Sequence, residues 1–143
     1  MIARLAGIAL LLLVACGGSS PPSSPKKPGK VVVSDTTVEI IDRIEFTSDT
    51  ELTPASYKAL DRTAATLVEN PAIQLVEVRV YVLEGDEATR QERADQRARH
   101  LVDYLVGKQV AAERLEPRGF ITPPAEDPTN HVQFFIARRG PGD

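Results

Sequence analysis

Residues 89–106 read TRQERADQRARHLVDYLV. Ala94, Ala98, Leu101 and Leu105 recur at spacings of four, three and four. That period places them on one face of a helix, and Val102 widens the face. Glu92, Asp95, Gln96, Arg99 and Asp103 fall mostly outside it. At about 100° per residue, Arg97 lies roughly 40° from Leu101, and Arg90 is close to the same line. Both arginines therefore border the apolar stripe. An arginine so placed can lay its stem on apolar surface and aim its guanidinium at a rim. The alternative is a solvated face pairing with Glu87, Glu92 and Asp95 along the helix.

Outward from this helix, the chain alternates strands and helices. Towards the N-terminus, residues 73–82 form the strongest strand, with Val76, Val78, Val80 and Val82 on one face. Asp86 is a cap for the Arg-rich helix. Before that strand, Asn70 and Pro71 stop an earlier helix. Thr53 is the N-cap of this earlier helix, Pro54 its first residue, and Leu52 a staple onto Tyr57. Its apolar face is Tyr57, Leu60, Ala64, Leu67 and Val68. Residues 37–46, rich in β-branched side chains, make the first strand. Towards the C-terminus, Gly107 and Lys108 end the long helix, residues 115–119 make a short strand and residues 131–136 a final one. The expected fold is α+β: a βαβαββ two-layer sandwich, its mixed sheet carrying two long helices on one face. A right-handed crossover makes the first two strands parallel neighbours or near neighbours.

The N-terminal residues are not part of that fold. Arg4 is followed by an apolar run of about 11 residues, well short of the ~20 that span a bilayer. The run meets Leu13, Val14, Ala15 and Cys16. This segment resembles a bacterial lipoprotein signal peptide ending in a lipobox. The resemblance implies cleavage before Cys16, a thioether-linked diacylglycerol on its sulfur, and an acylated, typically palmitoylated, amine. Cys16 is the sole cysteine, so an internal disulfide is excluded. Several acyl chains together anchor firmly, at about 0.8 kcal/mol per buried methylene. Gly17, where retained lipoproteins carry Asp, implies the outer membrane. Residues 17–30 are Gly, Ser, Pro and Lys, a composition that builds no core and reads as a tether. The expected division is signal peptide at 1–15, lipidated Cys16 and tether at 16–36, folded domain at 37–139 and tail at 140–143.

Composition removes several function classes. The formal net charge is −3, one unit more negative once Arg4 is removed, which does not favour nucleic acid as a partner. There is no Trp, so no stacking platform for bases or sugars is evident. His100 and His131 lack metal-ligand spacing, and no Ser or Cys nucleophile motif is present. The expectation is a non-enzymatic protein with no cofactor and no metal.

The order of small signatures over 37–138 resembles the C-terminal domain of OmpA and of the peptidoglycan-associated lipoproteins. They include Ile44, Glu45 and Phe46 before a loop, then Leu52, Thr53, Pro54, Leu60 and Asp61. Asn70 and Pro71 follow, then Arg97 and Ala98 ahead of Asp103, Tyr104 and Leu105. Arg114, Leu115, Arg118 and Gly119 come next, with Asn130 to Phe134 closing the run. The resemblance implies an outer-membrane, lipid-anchored domain facing the periplasm. It also implies non-covalent binding of the diaminopimelate of a peptidoglycan stem peptide. That ligand is a zwitterion. In the family an Asp receives the ammonium and an Arg clamps a carboxylate through paired charge-assisted hydrogen bonds.

Arg97 matches the family's Arg, Gly85 a site glycine, and Arg90 stands at an Asn position. Arg93 and Ala94 replace Leu and Ser, and Thr129, Asn130 and His131 replace Asn-Arg-Arg. Val82 occupies the Asp position. Glu84 or Asp86 could supply the missing carboxylate. The expected peptidoglycan-binding set is thus Arg97, Arg90, Gly85, Glu84 and Asp86. The competing reading is a scaffold that has lost the wall ligand and binds a periplasmic or outer-membrane protein. An exposed apolar strip at Val80, Tyr81, Val82 and Leu83 would suit that reading.

Overall fold

The computed structural model describes residues 31–40, 43–125, 128 and 131–141. The expected lipidation site Cys16, the signal segment and most of the tether lie outside the described residues.

The first helix, α1 (Pro54–Glu69), starts as the sequence dictates. Thr53 is its N-cap in extended conformation, and its hydroxyl accepts from the Ser56 amide at 3.2 Å. Pro54 needs no amide partner in the first turn. Ser56, fully buried, accepts from the Glu45 amide at 2.8 Å and so ties the preceding segment to the helix. Asn70 caps the other end. Leu60, Ala64 and Leu67 are buried, but Val68 is 49% exposed, so the apolar face excludes it. The second helix, α2 (Glu87–Gly107), begins two residues before the expected stretch. Asp86 is its N-cap by backbone alone. Its carbonyl accepts from the Thr89 and Arg90 amides, while its side chain makes no capping bond. Ala94, Ala98, Leu101 and Leu105 are the buried positions, as their spacing required.

The sheet comprises β1 (Val31–Val33), β2 (Thr37–Ile40), β3 (Ile73–Tyr81), β4 (Leu115–Phe120) and β5 (Val132–Arg139) in the order β1-β2-β5-β3-β4. β3 and β4 are parallel and the remaining pairs antiparallel. β2 and β3 are therefore parallel near neighbours with β5 between them. Two expectations are corrected here. β1 falls inside 16–36, the stretch read as tether, because its three valines pair with β2 in spite of the polar run before them. Of the expected first strand, β2 covers Thr37–Ile40. Of the rest of 37–46, residues 43–46 form no strand beyond one antiparallel bridge from Phe46 to Leu52.

One core lies between the sheet and the helices. The pairs Val76–Ile136, Val78–Phe134 and Val80–Val132 stand side by side on one sheet face, all buried. They belong to one cluster with Leu60, Leu67, Ala94, Ala98, Leu101 and Leu105 from the helices. Helix α2 packs over β3 and β4, and Gly119 permits the approach. A Cβ there would lie 2.6 Å from the Asp95 nitrogen and 2.8 Å from the Ala94 carbonyl carbon. The Tyr104 hydroxyl donates to Asp61 at 2.7 Å and joins α2 to α1. Hydrogen bonding from Tyr104 holds the Asp61 carboxyl below its ordinary value. Arg114 locks the corner between α1 and β3, donating to the carbonyls of Leu67, Asn70 and Ile73 at 2.8–3.0 Å. The opposite sheet face is half-buried by its own side chains, with the Arg79 guanidinium 4.0 Å above the Phe135 ring.

Candidate functional site

At one end of the sheet, four segments line a half-open pocket of about 420 Å³. Residues 44–46 and Thr53 form one wall and the exit of β3, Tyr81 to Glu84, another. Arg93 and Arg97 enter from α2, and His131 from the start of β5.

Arg97 is held by backbone carbonyls and by an aromatic ring. Its Nε donates to the Asp49 carbonyl at 3.0 Å and its Nη2 to the Ser48 carbonyl at 3.1 Å. Its guanidinium carbon lies 4.5 Å from the centre of the Phe46 ring, a cation–π distance. The 47–51 turn that offers the two carbonyls is closed by the Thr47 amide donating to Glu51 at 2.8 Å. One edge of the planar fork is thereby fixed. The other edge, one N–H on Nη1 and one on Nη2, is the geometry that pairs with a carboxylate. Burial and the neighbouring Arg93 charge pull Arg97 below the usual arginine value, and Asp49 opposes them. An arginine guanidinium keeps its proton in a folded protein, so Arg97 is a cation in the pocket.

The other expected residues divide. Glu84 lines the pocket, as Arg97 does, whereas Arg90, Gly85 and Asp86 do not. Arg90 instead braces the loop after β3, its Nη1 donating to the Leu83 carbonyl at 3.1 Å. Gly85 adopts φ +97°, a conformation open to glycine. A Cβ on it would be 3.4 Å from the Arg93 Nη1. Asp86 serves as the α2 cap. Val82, at the family's Asp position, is 4% exposed and belongs to the core. Val80 and Tyr81 are buried as well, so 80–83 is not an exposed apolar strip, and the protein-scaffold reading loses that support.

Arg93, Glu45 and His131 are pocket residues outside the expected set. Arg93 was legible: it stands four residues before Arg97, hence one turn away on the same helix edge. It pairs with Asp49 at 3.2 Å. Glu45 carries no such signal, since nothing local to residues 43–46 tells which way a side chain faces the next element. His131 enters because its carbonyl accepts from the Tyr81 amide at 2.9 Å, which brings the start of β5 beside the exit of β3.

No protein-family model matches the chain, and no curated protein matches it by sequence. Solved structures do. The OmpA-like domain of FopA1 from Francisella tularensis superposes with a TM-score of 0.54 at 20% identity, over 71% of this chain and 73% of that one. The fold is that of the OmpA-like domains. The peptidoglycan-associated lipoprotein from Burkholderia pseudomallei matches with a TM-score of 0.54 at 16% identity, over 82% of this chain and 98% of that one. The periplasmic domain of Helicobacter pylori MotB matches with a TM-score of 0.53 at 18% identity, over 66% and 71%. The α+β architecture expected for an OmpA-like domain is thus present, with one extra edge strand, β1.

Proposed function

We propose that this OmpA-like domain holds peptidoglycan non-covalently in the periplasm and that lipid on Cys16 tethers it to the outer membrane. The ligand is the diaminopimelate end of a stem peptide. Arg97 carries the proposal: its guanidinium lines the pocket, is oriented by two backbone carbonyls, and keeps one donor edge in reserve. A planar carboxylate is the natural partner for that edge. The ammonium of the ligand needs a carboxylate, and Val82 cannot provide one. Glu84 and Glu45 line the same pocket and take that part. The peptidoglycan-associated lipoprotein among the solved structures of this fold supports the wall as partner. The apolar run ending at Cys16 supports the anchor.

Two measurements test it. The lipoprotein, purified in mild detergent, should co-sediment saturably with diaminopimelate-type sacculi and be displaced by free meso-diaminopimelate. Failure of that displacement would refute the ligand. Mass spectrometry of the mature protein should place acylated Cys16 at the N-terminus; an intact residue 1 would refute the anchor.

A further inference from the structure

We infer that Arg93 makes this pocket selective for ligands bearing two free carboxylates, so that it prefers stem peptides ending at the diamino acid over those extended beyond it. The inference rests on the peptidoglycan reading above.

Arg93 and Arg97 are one helical turn apart, and both line the pocket. They are held in different ways. Arg97 lies on the Phe46 ring, anchored by the Ser48 and Asp49 carbonyls. Arg93 is held by the Asp49 carboxylate, and its Nη1 passes near Gly85, where a Cβ would stand at an ordinary contact distance of 3.4 Å. Both guanidiniums reach the 47–51 turn but at different groups, Arg97 at the Ser48 and Asp49 carbonyls and Arg93 at the Asp49 carboxylate. A carboxylate held on the Arg97 fork leaves Arg93 to take another anion.

Asp49 is the present partner of Arg93, at 3.2 Å, with side-chain exposures of 36% for Arg93 and 76% for Asp49. A pair so open to water is worth little and exchanges readily. A ligand anion can therefore displace Asp49, which has only to swing into solvent. The two cations also repel each other, and the Arg93 charge is one cause of the lowered Arg97 pKa. A second carboxylate relieves that repulsion. Glu45 and Glu84 do not remove this demand, because the ligand ammonium engages them.

A diamino acid at the end of its peptide offers both carboxylates. When the peptide continues, one becomes an amide and the negative charge moves to the next residue. Net charge is unchanged, so a preference between the two forms reports the position of the second carboxylate and not bulk electrostatics. The test titrates the full-length lipoprotein in detergent with disaccharide tripeptide and disaccharide tetrapeptide muropeptides of the meso-diaminopimelate type. Wild type is expected to bind the tripeptide about ten-fold more tightly. Arg93→Gln should abolish the preference by weakening the tripeptide alone, and Arg93→Lys should keep part of it. Circular dichroism checks that the variants fold. Equal affinities in wild type, or a preference that survives Arg93→Gln, would overturn the inference while leaving peptidoglycan binding intact. An equal loss for both ligands in Arg93→Gln would also overturn it, marking Arg93 as a brace for the loops. Binding of neither ligand by wild type would overturn the functional proposal and this inference together.

Discussion

Replacing Val82 by Asp would recreate the family's pattern, and the structure predicts that it damages the protein. Val82 is 4% exposed and packs in the core cluster, with its amide donating to the Phe120 carbonyl at 2.9 Å. The backbone bond survives the substitution. Removing the buried valine side chain forfeits about 1.5–3 kcal/mol of apolar burial. A carboxylate in its place loses its water, at a cost of several kcal/mol when unpaired. Arg93 and Arg97 line the same pocket and return part of that cost. We expect a net loss of about 3 kcal/mol at pH 7.5, out of the 5–15 kcal/mol typical of domains this size. Burial raises the introduced carboxyl above the ~3.9 of an unfolded aspartate. Its folded form is then favoured while protonated, and that favour is lost as pH rises through the raised value, so the deficit should be larger at pH 7.5 than at pH 4. Val82→Asn should show a loss that does not vary with pH. The assay is urea unfolding followed by circular dichroism, since the chain has no Trp to report by fluorescence. A loss below about 1 kcal/mol with no pH dependence would refute the reasoning and mean that position 82 faces water in the pocket.

Arg114→Met should cost about 1.5–3 kcal/mol in the same assay, because it removes a charged donor shared by three carbonyls at the α1–β3 corner, although Leu67 and Asn70 each keep one backbone donor. Asp61 is held below its ordinary value by Tyr104, so its contribution is present above the unfolded value of ~3.9 and fades as pH falls through the lower folded one. Tyr104→Phe should flatten the loss of stability on the acid side, by less than about 1 kcal/mol given the exposure of the site; an unchanged urea midpoint profile between pH 5 and 2.5 would count against the contact. Deleting residues 1–30 should leave the melting temperature unchanged, whereas deletion through 36 removes β1 and should lower it by several degrees, about 4–8 °C per kcal/mol.

Much of the fold could be read from residue spacing. The alternation through Val76, Val78 and Val80 and the four-three-four spacing of Ala94, Ala98, Leu101 and Leu105 each name a buried face, and both faces are buried. Thr53 and Pro54 mark a helix start by chemistry that acts within one turn, which is why that boundary was legible to the residue. β1 was not legible. Three valines after a Pro/Ser/Lys run acquire strand structure only from β2, a partner whose position is a property of the whole sheet. Val68 fails for a similar reason: it continues the apolar period, but among the described residues no element covers that part of α1. For the site, a helical period could find Arg97 and, four residues earlier, Arg93. No local rule could show Glu45 and His131 converging on the same pocket from distant segments, nor Arg90 turning aside to brace the Leu83 carbonyl.

The central claim is that this domain holds the cell wall through Arg97. It is tested by co-sedimentation of the full-length protein and its Arg97→Ala variant with purified diaminopimelate-type sacculi, with folding verified by circular dichroism. Wild type should bind saturably, and the variant should lose about 1.5–3 kcal/mol, or roughly ten- to a hundredfold in affinity. Absence of wild-type binding, or saturable binding that Arg97→Ala leaves unchanged, would contradict the claim.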